Sequence, residues 1–412
     1  MTIKKYYCLL CLLLSGCSLF SQESIKEPWV KLGGYVRSDI FFDNRDNLNA
    51  INGLFLFYPL NEKLSDDGKD LHANPSLTLL SVSSRLNTTF RTPDVLNAKI
   101  TGRIEFDFTV FSSSANLRLR HAYGNIAWKN SSLLFGQTWH PAFVESCIPT
   151  VLGLSTGAPF QEFNRSPQIR FTQNINRIKL SAAFVSQMDY SSPGPYGNSP
   201  QYMRQAIIPE FNLQLSYKGE RFLVGVNGSV KTLTPRRETM GTDSLMFKAT
   251  ETLTTFSVKG FSKYFTQKME IKASVTYGQN LFDYLMQGGY GVSSLDLATG
   301  KEKYTPLTGI YSWINFVYGT KWQTSLTLGY GYNMGTTKPL VNENMIWGRA
   351  LDIAQMYRVV PSLFYNIGKI QLALEYELNT AYYGSLSIND GKVYETKPIY
   401  GHRIACAATF FF

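Results

Sequence analysis

Outside its N-terminus, the 412-residue chain has no run of about 18 apolar residues, the length that a membrane-spanning helix needs. With a mean hydropathy of −0.13 it is too polar for a bundle of such helices, and no segment of useful length carries a helical period. Cysteine is scarce. Of five, Cys8, Cys11 and Cys17 crowd the N-terminus, leaving Cys147 and Cys406 far apart, which excludes a disulfide framework and a cysteine metal site and leaves two inert thiols. The four histidines, His72, His121, His140 and His402, lie on separate segments without ligand spacing. No Gly-x-Ser-x-Gly elbow occurs, and Asp66-Asp67-Gly68-Lys69-Asp70 lacks the spacing of a twelve-residue calcium loop, so it reads as a solvated loop. No catalytic residue, metal site or cofactor is expected. Acidic residues are outnumbered 30 to 40 by Lys and Arg, giving +10. The arginines stand singly within strand-like segments and form no basic tail, so nucleic acid is not an expected partner.

What is present begins with an address. Lys4-Lys5 and the short apolar core from Cys8 to Leu14 form a secretory leader, too short to anchor the chain. Cleavage is expected near Gln22, so residues 1–22 leave and the charge falls from +10 to +8 with the loss of Lys4 and Lys5. Leu14-Ser15-Gly16-Cys17 resembles a lipobox and offers the alternative of a lipid on Cys17.

The remainder, 23–412, reads as one unit of alternating strands. In 99–109, Ile100, Gly102, Ile104, Phe106 and Phe108 share one face, and Arg103, Glu105, Asp107 and Thr109 the other. Segments 80–91, 210–217 and 370–379 alternate likewise. Strands are expected near 31–43, 77–91, 97–109, 116–128, 132–139, 166–175, 178–188 and 209–217. Eight more follow near 221–231, 250–264, 268–279, 308–318, 321–333, 354–366, 369–380 and 400–412. The connections between them are alternately tight, as at Lys129-Asn130 and Asn176-Arg177, and long, as in 44–76, 140–165, 280–307 and 381–399. That sorting predicts an all-β transmembrane antiparallel barrel of about sixteen strands, with short periplasmic turns and long external loops. Tyr264, Phe265, Tyr318, Trp322, Tyr365 and Tyr376 suit interfacial aromatic girdles. The ending Ala407-Ala408-Thr409-Phe410-Phe411-Phe412 matches the assembly signal of bacterial outer-membrane proteins. Expected partners are therefore outer-membrane lipid and, through Phe412, the barrel assembly machinery.

Several motifs then follow in order: Ser84-Arg85-Leu86-Asn87, Gly102-Arg103-Ile104-Glu105-Phe106-Asp107, Arg120-His121-Ala122-Tyr123-Gly124, Gly136-Gln137-Thr138-Trp139 and Pro167-Gln168-Ile169-Arg170. Over residues 31 to about 175 this succession resembles the DcaP-like trimeric porins of the bacterial outer membrane. The resemblance implies a sixteen-stranded homotrimeric porin admitting small anionic solutes such as dicarboxylates. The helical N-terminal extension common in that family has almost no counterpart between Gln22 and Trp29, so contacts made through it are not carried over.

Alternation places Arg37, Arg85, Arg103, Arg118, Arg120 and Arg170 on the inner face of neighbouring early strands, where they would form a basic, anion-favouring wall. Residues 140–165 are the expected inward-folding constriction loop, because Phe143, Ile148, Val151, Leu152, Leu154 and Phe160 need burial. Glu145 and Glu162 would reach the channel, with His140 a hydrogen-bonded pore residue at the loop's start. The reading is an outer-membrane porin for passive diffusion of small hydrophilic solutes, favouring anions, and not an enzyme. The alternatives are a plugged structural or adhesin-type barrel and a barrel enzyme.

Overall fold

A computed structural model describes residues 27–109 and 117–412. The leader expected over 1–22, and its alternative at Cys17, lie outside the described residues.

Among the described residues sixteen strands build one wall. β1 is Trp29–Asp43, β2 comes in two pieces, Ser76–Leu80 and Arg85–Arg91, β3 is Lys99–Asp107 and β4 is Arg118–Ala127. β5 (Ser131–Trp139), β6 (Arg165–Ile175), β7 (Ile178–Val185) and β8 (Glu210–Lys218) follow. The second half comprises β9 (Phe222–Leu233), β10 (Leu253–Phe265), β11 (Met269–Gln279) and β12 (Glu302–Gly319). β13 (Trp322–Thr336), β14 (Ile353–Ile367), β15 (Ile370–Leu386) and β16 (Val393–Phe411) complete it. Each pairs antiparallel with its neighbours in chain order, and β16 returns to β1 with Tyr35 opposite Phe411 and Asp43 opposite Arg403. Closure leaves no sheet edge, the condition for carrying strands through hydrocarbon, where each unpaired backbone group costs several kcal/mol.

The wall is apolar outside and polar inside. On β15, Ile370, Leu372, Leu374 and Tyr376 point outward, while Glu375, Glu377 and Asn379 are buried on the inner side. β8 repeats this with Phe211, Leu213, Leu215 and Tyr217 outside and Glu210, Asn212 and Ser216 inside. Such an outer surface suits lipid, as on a transmembrane barrel. At the short-turn end the outward aromatics gather: Trp322 stacks on Tyr365 at 4.1 Å between centroids and Tyr217 on Phe222 at 5.6 Å. On the outer face, Phe90 lies over Gly102, where an added Cβ would come within 2.2 Å of the ring.

Four expectations need correction. The strand expected over 77–91 breaks at 81–84, where Ser83 donates to Asp39 Oδ2 (2.5 Å) and the Arg37 N–H to Ser84 Oγ (3.0 Å). The break turns Val82 against the interior cluster instead of lipid. Phe265 shares the inner parity of Phe261 and Lys263, so it faces the lumen and not a girdle. Segments 280–307 and 381–399 are not simply loops, because β12, β15 and β16 run on past the membrane belt and Gly288–Leu295 pairs with β12. Finally, 44–76 contains a hairpin, Asn47–Ala50 and Phe55–Pro59, whose second strand is buried at every residue.

Candidate functional site: the lumen

The barrel interior is crossed by the chain itself. After β5, His140 caps a 3-10 turn, Pro141–Phe143, its Nδ1 accepting the Ala142 N–H at 3.1 Å. From there the loop lies against the later half of the wall. The Thr150 N–H donates to Asn315 Oδ1 (3.0 Å), and Ser325 donates to Thr150 O (2.6 Å). Glu375 accepts from the backbone N–H groups of both Leu152 and Gly153, at 2.5 and 3.0 Å. Trp313 Nε1 donates to Gln161 Oε1 at 2.8 Å, and Lys259 binds Glu162.

Small inner-face residues make this possible. Gly329 lies under Phe160, where a Cβ would meet the ring at 2.6 Å. Ala373, Ala405 and Ala407 belong to the same cluster as Phe143, Leu152, Phe160 and Phe163 of the loop and Phe55 and Phe57 of the hairpin. An apolar core thus forms inside a polar-lined barrel. Arg358 on β14 joins the two inserted segments: its guanidinium donates to Ala158 O (2.9 Å), to Leu56 O (3.1 Å) and Phe57 O (2.7 Å), and to the Asn379 side chain. A third insertion, 280–287, is held by Lys231 on Asp283 and by Tyr284 donating to Glu210 Oε1 at 2.7 Å.

The sequence-predicted residues divide into groups. Arg103, Arg118 and Arg120 meet around Glu105 and Asp107: Arg103 reaches Glu105 at 2.6 Å, Arg118 grips Asp107 through two nitrogens at 3.0 and 2.9 Å, and Arg120 bridges both carboxylates. Arg85 lies 3.8 Å from Glu105, and Arg37 binds Asp39 and reaches across to Leu152 O at 2.9 Å. Arg170 is bound to Gln168 and to Trp139 O. Arg103, whose side chain is 38% exposed, offers the most charge to lumen water; Arg120, at 3%, offers least.

On the loop, Glu145 is exposed and faces Arg170 and Arg103. Glu162 and His140 depart from the expectation. Glu162 is sealed against Lys259 and Thr276, because the loop's return shuts water away from the wall lysine and puts a carboxylate in its place. His140 sits in a buried joint with its Nε2 3.0 Å from Glu210 Oε1. Neither touches open lumen.

Open space remains on the side the loop leaves free. An outer cavity of about 610 Å³ lies at the long-loop end, bordered by Arg118, Tyr190, Phe57 and Arg349. An inner cavity of about 520 Å³ lies at the short-turn end, bordered by Ser146, Lys179, Gln214 and Lys263. Arg358, Lys259 and Arg349 were not singled out from sequence. The inner parity of Arg358 and Lys259 was readable; their partners, over a hundred residues away in the first case, were not. Among the described residues no cluster of His, Cys, Asp and Glu is able to hold a metal ion.

No protein-family model matches the sequence, and no curated protein matches it. Solved structures do. The outer membrane channel DcaP of Acinetobacter baumannii superposes with a TM-score of 0.67 at 18% identity, covering 96% of this chain and 100% of that one. OmpT of Vibrio cholerae, an outer membrane protein in its trimer form, gives 0.56 at 10% identity, covering 94% and 100%. OmpF of Salmonella typhi, in complex with daunomycin, gives 0.52 at 10%, covering 93% and 97%. At these identities the likeness is one of fold: over nearly its whole length this chain is built as those outer-membrane proteins are.

Proposed function

We propose that the protein is a passive outer-membrane channel for small hydrophilic solutes, with a preference for anions. The observation that carries this is the pair of cavities at opposite ends of the barrel interior, the outer one bordered by Arg118 and the inner one by Ser146 of the inserted loop. On the arc from β1 to β6 eight arginines (Arg37, Arg85, Arg91, Arg103, Arg118, Arg120, Arg165 and Arg170) stand against four carboxylates, Asp39, Asp43, Glu105 and Asp107; Arg403 takes up Asp43, and Asp94 in the turn after β2 takes up Arg91. The surplus is positive. A basic wall favours anions through a pore, and guanidinium forks suit carboxylate or phosphate without holding them, since lumen water weakens each contact to about 1 kcal/mol or less. Glu145 opposite Arg103 and Arg170 sets up a transverse field that aligns charged solutes. Dicarboxylates are the solute class implied by the resemblance of the early strands.

Two further readings go with it. The trimer form of the Vibrio protein supports a homotrimer, and the exposed Phe410 of β16 and Phe412 directly after it support recognition by the barrel assembly machinery. Against open diffusion stands one observation, the apolar core inside the lumen, which favours a plugged barrel. Liposome swelling separates them. Proteoliposomes swell in iso-osmotic small sugars and faster in small carboxylate salts if the channel reading holds; no swelling with any solute leaves the plugged barrel.

A further inference from the structure

We infer that the outer cavity is a binding site for a small organic monoanion with a compact apolar body, and that Arg349 is its anion-binding residue. Arg349 ends the short strand Ile346–Arg349, which pairs with Gly288–Gly291, directly after the third insertion. Its Nη1 donates to Phe282 O (3.0 Å) and Met286 O (3.1 Å), and its guanidinium stacks on the Phe282 ring at 4.1 Å and the Phe57 ring at 5.1 Å. Two carbonyls and two rings thus fix its plane. Among the described residues no carboxylate pairs with it: Asp283 is taken by Lys231 and Gln187. Arg118, also on the cavity, has both its Nε and Nη2 on Asp107. Arg349 is therefore the oriented, unneutralised cation of a cavity of about 610 Å³, a volume in the range of small-molecule sites.

The rest of the lining decides the ligand class. Ile51, Phe55, Phe57, Leu119 and Leu285 present hydrocarbon, which gives a hydrated inorganic anion nothing. Asp189, exposed on the same cavity, repels a second negative charge. One charge and an apolar body satisfy both.

This rests on the channel reading only in making the cavity a stage on the diffusion path. The test is isothermal titration calorimetry on the detergent-solubilised full chain with cyclohexanecarboxylate, acetate and cyclohexylammonium. Cyclohexanecarboxylate is expected to bind at least tenfold more tightly than acetate, and cyclohexylammonium not at all. Arg349→Gln weakens cyclohexanecarboxylate at least tenfold. Because that change also releases Phe282 and Met286, Leu285→Ser is the second variant: it weakens cyclohexanecarboxylate severalfold and leaves acetate unchanged. Equal binding of acetate, an unaffected Arg349→Gln, or equal losses for both anions in Leu285→Ser overturns the inference. Binding by an electrically silent protein removes the channel reading alone; conduction without binding removes this one alone.

Discussion

Replacing Arg358 with methionine keeps a stem of similar length and deletes the donors that tie hairpin 47–59 and loop 140–165 to β14. Three backbone carbonyls, of Leu56, Phe57 and Ala158, lose their partner, and Glu377, 3.8 Å from Arg358 Nε, loses its cation. Breaking one side of such a buried charged cluster costs about 3–5 kcal/mol. With a factor of ten for each 1.4 kcal/mol, the balance between anchored and displaced insertions moves by roughly two to four orders of magnitude. The wall itself is held by its own closed ladder of backbone hydrogen bonds and survives. In planar bilayers the variant is expected to show larger mean conductance and frequent transitions between substates, while it still migrates as folded barrel in unheated SDS gels. Arg236→Met serves as the control: it breaks a part-buried pair with Glu302 and borders neither of these insertions nor either lumen cavity. Wild-type conductance and noise in Arg358→Met would refute the reasoning.

Three more outcomes are expected. The double change Arg103→Ala with Arg118→Ala moves the zero-current potential in a salt gradient toward the cation side; an unchanged potential removes the basic wall. The surrounding lumen wall thins the water around the Glu145 carboxyl although its surface stays open, which raises it against the pull of Arg170 and Arg103, so it takes up its proton at higher pH than an ordinary glutamate does. Anion preference therefore grows as pH falls through that range, and Glu145→Gln shows the acid-form preference at every pH; a pH response that survives in Glu145→Gln counts against this assignment. Cys406 points outward from β16 while Cys147, within the inserted loop, is buried against β10, its thiol 3.2 Å from Ser262 O. In membranes a lipid-soluble maleimide is expected to label Cys406 and a charged thiosulfonate neither; fast labelling of Cys406 by the charged reagent contradicts the outward face.

Strands were legible wherever the wall separates lipid from water, since that contrast writes a period of two into segments such as 210–217 and 370–379. Where the contrast ends, so does the signal. The stretch from Tyr394 to Pro398 is exposed on every residue, so it carries no alternation although it is paired strand. The opposite case is Phe55–Pro59, buried on both faces; its unbroken apolar run inside an apparent loop was the available sign of a second insertion. The break at 81–84 hid because Leu80, Val82 and Leu86 keep the right parity through it. In the lumen, the loop was legible from apolar residues with nowhere else to go. Its clamps, Glu375 and Arg358, were not, because inner parity says that a charge faces inward and not which segment will meet it there.

Single-channel recording across a tenfold chloride gradient tests the central claim most directly. A protein whose inserted loop leaves the arginine side open gives discrete current steps and a zero-current potential of the sign set by chloride. A folded, inserted barrel that passes no current, or one whose potential follows potassium, contradicts it.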